Sequence, residues 1–173
     1  MADTGLPALR SRRGLWLAEI IGLGVIAAIV VVAVASSRPS GPPDIAVADV
    51  WARATPAGAP TAAVYLTIRN DGGDADRLVS ATTPVAGTVM IHRTAIANDI
   101  ATMADMEDGM PVPGGEATIF APNGNHLMLM DLPAPLTEGE TFPMTLTFAT
   151  TGTVTAEVRV LGVAAAGPAP GDQ

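Results

Sequence analysis

The sequence predicts an all-β fold, a β-sandwich with Greek-key connections, behind one N-terminal hydrophobic helix. Three observations carry this. Past residue 43 the chain breaks into eight short apolar or alternating runs separated by Gly, Pro, Asn and Asp. No stretch beyond the leader has a convincing helical period. The body, residues 44–163, is 120 residues long and has no Cys, so it must bury a core without disulfides, and that length permits it.

The elements follow in chain order. Residues 1–14 are a basic segment carrying Arg10, Arg12 and Arg13. Leu15–Ala35 is apolar apart from Glu19 and small residues. Twenty-one helical residues at about 1.5 Å each reach roughly 30 Å, the thickness of a bilayer core. This length predicts an uncleaved transmembrane anchor. Ala33-Val34-Ala35 before Ser36 is also an A-x-A pattern, so a signal peptide cleaved after Ala35 is the alternative. The Arg cluster stays in the cytoplasm in either case, which places the body outside it. Residues 36–43 form a Pro/Ser/Gly linker, and residues 164–173 read as a disordered tail.

The expected strands are Ile45–Ala52, Ala62–Asn70, Asp76–Thr82, Thr88–Thr94, Glu116–Ala121, His126–Leu132, Thr141–Ala149 and Val154–Val160. Asn70-Asp71-Gly72-Gly73 and Pro122-Asn123-Gly124-Asn125 are the strongest turn signals. Asp71, Asp74 and Asp76 do not have EF-hand spacing and read as part of a hairpin turn.

Composition removes several functions. Without Cys there is no thiolate nucleophile, zinc finger, iron–sulfur cluster or blue-copper centre. All nine basic residues are Arg, which excludes Schiff-base chemistry and a phosphate-binding P-loop lysine. The net charge of −8 argues against nucleic acid. Residues 1–43 carry +2 and residues 44–163 carry −9, a basic leader ahead of an acidic body. No nucleophile and base fall in a recognisable motif, so the chain is not read as an enzyme.

The unexpected feature is methionine. Residues 90–130 hold both histidines and six of the eight methionines: Met90, Met103, Met106, Met110, Met128 and Met130. In His126-Leu127-Met128-Leu129-Met130, strand alternation puts His126, Met128 and Met130 on one face and the two Leu on the other. Met90 and His92 likewise share a face. Thioethers with imidazole favour Cu(I) over zinc or iron, and they suit an oxidising compartment where thiols would pair. Met is also an adaptable core filler. The competing reading is therefore a non-catalytic extracytoplasmic interaction module with structural Met residues. A copper electron-transfer protein is a third reading, against which the lack of Cys weighs.

These residues resemble a known family. His92, ten residues, Met103, a longer gap, then His126-x-Met128 is similar to the H-x10-M-x21-H-x-M motif of the periplasmic PCu(A)C copper chaperones. Trp51-Ala52-Arg53-Ala54-Thr55-Pro56, Ala62–Asn70, Gly114-Gly115 and Ala121–Met130 also resemble that family, so the likeness runs over about residues 45–160. It implies a cupredoxin-like sandwich that binds one Cu(I) through His92, Met103, His126 and Met128. It further implies delivery to an extracytoplasmic copper-accepting protein, such as the dinuclear copper site of cytochrome oxidase. Two departures stand out. Met103 and His126 enclose 22 residues, one more than the motif, and Ala95 and Ile96 stand where further Met often occurs. Met106 is therefore an alternative loop ligand, and Met90 and Met130 are possible additional donors. Asp99, Asp105, Glu107 and Asp108 beside the candidate loop suit either solvation or steering of a basic partner.

Overall fold

The computed structural model describes residues 40–97 and 100–168. The expected leader and residues 36–39 of the linker lie outside the described residues, as do residues 169–173 of the tail. Among the described residues there is no helix, and none is long and apolar enough to cross a membrane.

Ten strands form: β1 (Ile45–Arg53), β2 (Thr61–Asn70), β3 (Asp76–Thr82), β4 (Thr88–Ala97), β5 (Ile100–Asp105), β6 (Met110–Val112), β7 (Ala117–Phe120), β8 (His126–Met130), β9 (Thr141–Phe148) and β10 (Gly152–Leu161). The eight expected strands are present within a few residues of their expected ends. Strands β5 and β6 are additional, so the Met103 segment is a strand paired to β4 rather than a loop. Hydrogen bonding runs β5-β4-β8-β2-β1-β10-β9-β3-β6, with β7 also on β2. All pairings along this path are antiparallel except β1 with β10.

Alternation decides what is buried. On β2, Ala62, Val64, Leu66 and Ile68 face the core, and on β9 Phe142, Met144, Leu146 and Phe148 do so. Leu78, Val112, Phe120, Leu127, Leu129, Val158 and Val160 join the same cluster from five other strands. One continuous ladder thus closes over one core. A fully buried Leu or Phe contributes roughly 1.5–3 kcal/mol, which is what holds the sheet closed without disulfides. Met110 (2% exposed) and Met144 (1%) belong to this core.

Two buried polar side chains fix the turns. Asn70 accepts from the Asp44 and Gly72 amides and donates to the Asp74 and Val112 carbonyls. It thereby joins the start of β1, the β2–β3 turn and the end of β6. Gly72 permits this closeness, since a Cβ there would lie 2.0 Å from the Pro42 carbonyl oxygen. Asp76 accepts from the amides of Arg77, Thr150 and Thr151 and from the Thr151 hydroxyl, which clamps β3 onto the β9–β10 turn. At the C-terminal end, Arg53 donates to the Ala165 carbonyl, so the first residues of the expected tail lie against the sheet.

Burial by itself would raise the Asp76 pKa. The hydrogen bonds, led by the Thr151 hydroxyl, outweigh it and lower the pKa from 3.8 to about 2. A depressed native pKa stabilises the fold above the unfolded value, and that stability is lost as pH falls through the native one. Denaturant unfolding is therefore expected to show about 2 kcal/mol of stability present at neutral pH and lost between pH 3.8 and about pH 2. The Asp76→Asn variant should lack that slope. An unchanged acid profile in the variant would refute the role given to this carboxylate.

Candidate metal centre

The site begins with two leucines. Leu127 and Leu129 on β8 are fully buried, and their alternation turns His126, Met128 and Met130 to the opposite face of the sheet. A slip of one residue would turn His126, Met128 and Met130 into the apolar core and both leucines out of it, so the register is strongly specified. The expected division of this strand is what the structure has.

Pairing then assembles the donors. β8 runs antiparallel to β4 with His92 opposite His126, Met90 opposite Met128 and Thr88 opposite Met130. Directly opposed residues share a face, so both histidines and three methionines form one contiguous patch. The imidazoles meet edge to face with centroids 5.3 Å apart. On the other side of β4, Asp105 stands opposite His92 and Met103 opposite Thr94. Met103 is thus a diagonal neighbour of His92 on the same face, and it is 54% exposed. Met106 follows Asp105 and donates its amide to the Ile91 carbonyl. Alternation turns its side chain to the other face, where it packs against the core. The structure therefore brings Met90, His92, Met103, His126, Met128 and Met130 to one surface, and places Met106 behind it.

Both histidines are buried, at 6% and 7% exposure, with their chemistry held in different ways. The turn at 121–125 folds back so that the Gly124 carbonyl reaches the Thr94 amide and lies 3.1 Å from His126 Nδ1. Donation from Nδ1–H to that carbonyl fixes the tautomer and leaves the Nε2 lone pair free. His92 has no hydrogen bond at either ring nitrogen. The Asp105 carboxylate is 2.9 Å from its Nε2, but the approach is out of line for a hydrogen bond. A buried imidazole without partners is costly unless something else occupies its lone pair. This free nitrogen, a second imidazole and neighbouring thioethers fit a soft monovalent metal. Among the described residues there is no cluster of three or more His, Cys, Asp or Glu suited to a harder ion.

Asp105 is the residue near this site whose position sequence reasoning missed. Its place opposite His92 follows from counting outward along a hairpin from the Ala97–Ile100 pair, once that hairpin is recognised.

Exposure separates the methionines by reactivity. Among the methionines of the described residues, dilute peroxide followed by peptide mass spectrometry is expected to convert Met103 to its sulfoxide first and Met110 and Met144 last. Early oxidation of Met110 or Met144 would contradict the placement of these side chains in the core.

Comparison with known proteins agrees with this fold. Several solved structures are similar. The copper-bound PCuAC domain from PmoF2 is 29% identical with a TM-score of 0.59, covering 68% of this chain and 92% of that one. The solution structure of CuI-DR1885 from Deinococcus radiodurans is 26% identical with a TM-score of 0.55, covering 73% and 82%. The "Putative lipoprotein Lxx21020" of Leifsonia xyli subsp. xyli (strain CTCB07) is 34% identical over 104 residues, 60% of this chain. The match spans 61% of that relative's own length, less than two thirds. The family model described as "Putative lipoprotein LpqE-like" matches residues 45–160, and the chain belongs to this LpqE-like family.

Proposed function

We propose that this protein is an extracytoplasmic Cu(I) metallochaperone, not an enzyme, built on a cupredoxin-like Greek-key sandwich. The observation that carries the reading is the register of β4 on β8, which sets His92 against His126 and Met90 against Met128. The proposed ligands are His92, Met103, His126 and Met128. Met103 is preferred to Met106 because it shares the face of the histidines. Met90 and Met130 lie on that same face as further donors. The similarity to the copper-bound PmoF2 domain and to CuI-DR1885 supports the choice of metal.

Neutral ligands leave the copper its positive charge, and a half-open site lets an incoming ligand attack before the old ones depart. Both properties suit a carrier rather than a resident cofactor. The cargo would go to an extracytoplasmic cuproprotein, such as the dinuclear copper centre of cytochrome oxidase. The lipoprotein names of the family and of the Leifsonia relative support a place outside the cytoplasm at a membrane. The 173 residues contain no Cys to carry a thioether-linked lipid, so the proposed tether is the hydrophobic segment 15–35.

Anaerobic titration of the full chain is expected to show one Cu(I) bound. His126→Ala combined with Met128→Ala should abolish stoichiometric binding, whereas unchanged binding would sink the proposal in favour of a non-metal interaction module. Met103→Ala should weaken binding by at least about tenfold, a change of 1.4 kcal/mol. Met106→Ala should instead lower stability with little change in affinity. Equal effects of the two would remove the preference for Met103. N-terminal sequencing of the native protein tests the tether, and a start at Ser36 would show a cleaved signal peptide instead.

A further inference from the structure

We propose that Asp105 is a positioning residue that orients the His92 imidazole, so that the two histidines offer opposite ring nitrogens to the metal. This rests on the reading of His92 as a ligand. A neutral imidazole carries one N–H, and a buried N–H requires an acceptor. For His126 the acceptor is the Gly124 carbonyl at 3.1 Å from Nδ1, which leaves Nε2 for the metal. For His92 no hydrogen bond is formed, and the neighbouring acceptor is the Asp105 carboxylate, 2.9 Å from Nε2.

The strand pairing makes this approach persistent. Asp105 is the cross-strand partner of His92 on the outer side of β4, and His126 is its partner on the inner side. The His92 ring is thus bracketed between a carboxylate and a second imidazole. Its side chain is only 8% exposed, whereas that of Asp105 is 51% exposed. The carboxylate is the freer of the two groups. Asp105 is thus the partner with room to turn; once its carboxylate accepts from Nε2–H, Nδ1 is the atom with a lone pair for the metal. A carboxylate on the far nitrogen also makes the ligating one more electron-rich. It further sets a negative charge beside a copper site whose other donors are neutral.

Sequence position alone would not select Asp105 from its acidic neighbours. Asp108 and Glu107 lie beyond the last paired residue of β5, and Asp108 offers its carbonyl to Arg77. Asp105 is the acid of this group whose register and distance both point at a histidine.

The test uses the full chain labelled with 15N-histidine. Long-range 1H–15N correlation spectra are recorded on the metal-free protein at mildly alkaline pH. His92 is expected as the Nε2–H tautomer and His126 as Nδ1–H. In Asp105→Ala the His92 preference should collapse, while His126 stays as it was and reports an intact fold. In Asp105→Asn the side-chain oxygen still accepts, so the preference should return. Anaerobic Cu(I) should then shift His92 Nδ1 and His126 Nε2, and Asp105→Ala should bind Cu(I) about 10- to 100-fold more weakly. A His92 Nδ1–H tautomer, or no change in Asp105→Ala, would overturn the orientation. If the tautomers behave as expected but Cu(I) leaves Nδ1 unmoved, the ligand reading of His92 fails while the orienting role of Asp105 stands.

Discussion

The burial of Leu127 and Leu129 is the constraint on which the site depends. Neither side chain has a chemical function. Both lie in the core without exposure, and strand geometry converts that fact into the outward placement of His126, Met128 and Met130. The neighbours of β8 then follow. Ladder pairing with β4 brings His92 and Met90 to the same surface, and the β4–β5 hairpin adds Met103 and Asp105. A donor set drawn from three strands is thus assembled by one register. Apolar burial sets that register, and the donors need contribute nothing to the stability of the fold.

Much of this was legible in the sequence because the relevant signals have a period of two. The run His126–Met130 shows its two faces directly, and the turn residues around it mark its ends. The strands β5 and β6 were not legible for physical reasons. β5 lies at one edge of the ladder, and its residues 102–105 are all exposed, so no face demands apolar side chains and Ala101-Thr102-Met103-Ala104-Asp105 carries no alternating pattern. β6 lies at the other edge and is three residues long, with Pro111 at its centre, which an edge position tolerates. The ambiguity between Met103 and Met106 had the same origin. Read as a loop, the segment gives no reason to prefer either. Read as a strand paired to β4, their odd spacing puts them on opposite faces. The clustering of six methionines also overstated the site, since Met110 is core.

Without disulfides, the loops are held by buried polar groups that are fully paired. Asn70 uses both ends of its amide, and Asp76 uses both oxygens. Such groups stabilise only when every partner is present, which makes them demanding of geometry and specific for one arrangement of turns. The histidine pair has a different character. His126 is satisfied at one nitrogen and His92 at neither, in a molecule whose other buried side-chain polar atoms among the described residues have partners.

That contrast bears on how a carrier should be built. A site whose ligands were all locked by hydrogen bonds would hold its metal geometry rigidly and release it slowly. A site whose ligands were all unpaired would be costly to fold. Here one imidazole is fixed by a backbone carbonyl, the other is bracketed by an exposed carboxylate, and one thioether stands at an exposed edge strand. On the Cu(I) reading, the fixed half defines where the metal sits. The exposed half, Met103 on β5, is where an acceptor's ligand can enter without unfolding anything, because among the described residues no strand lies on the outer edge of β5. The gradient from buried histidines to exposed methionine then gives the transfer a direction, outward through the edge of the sheet.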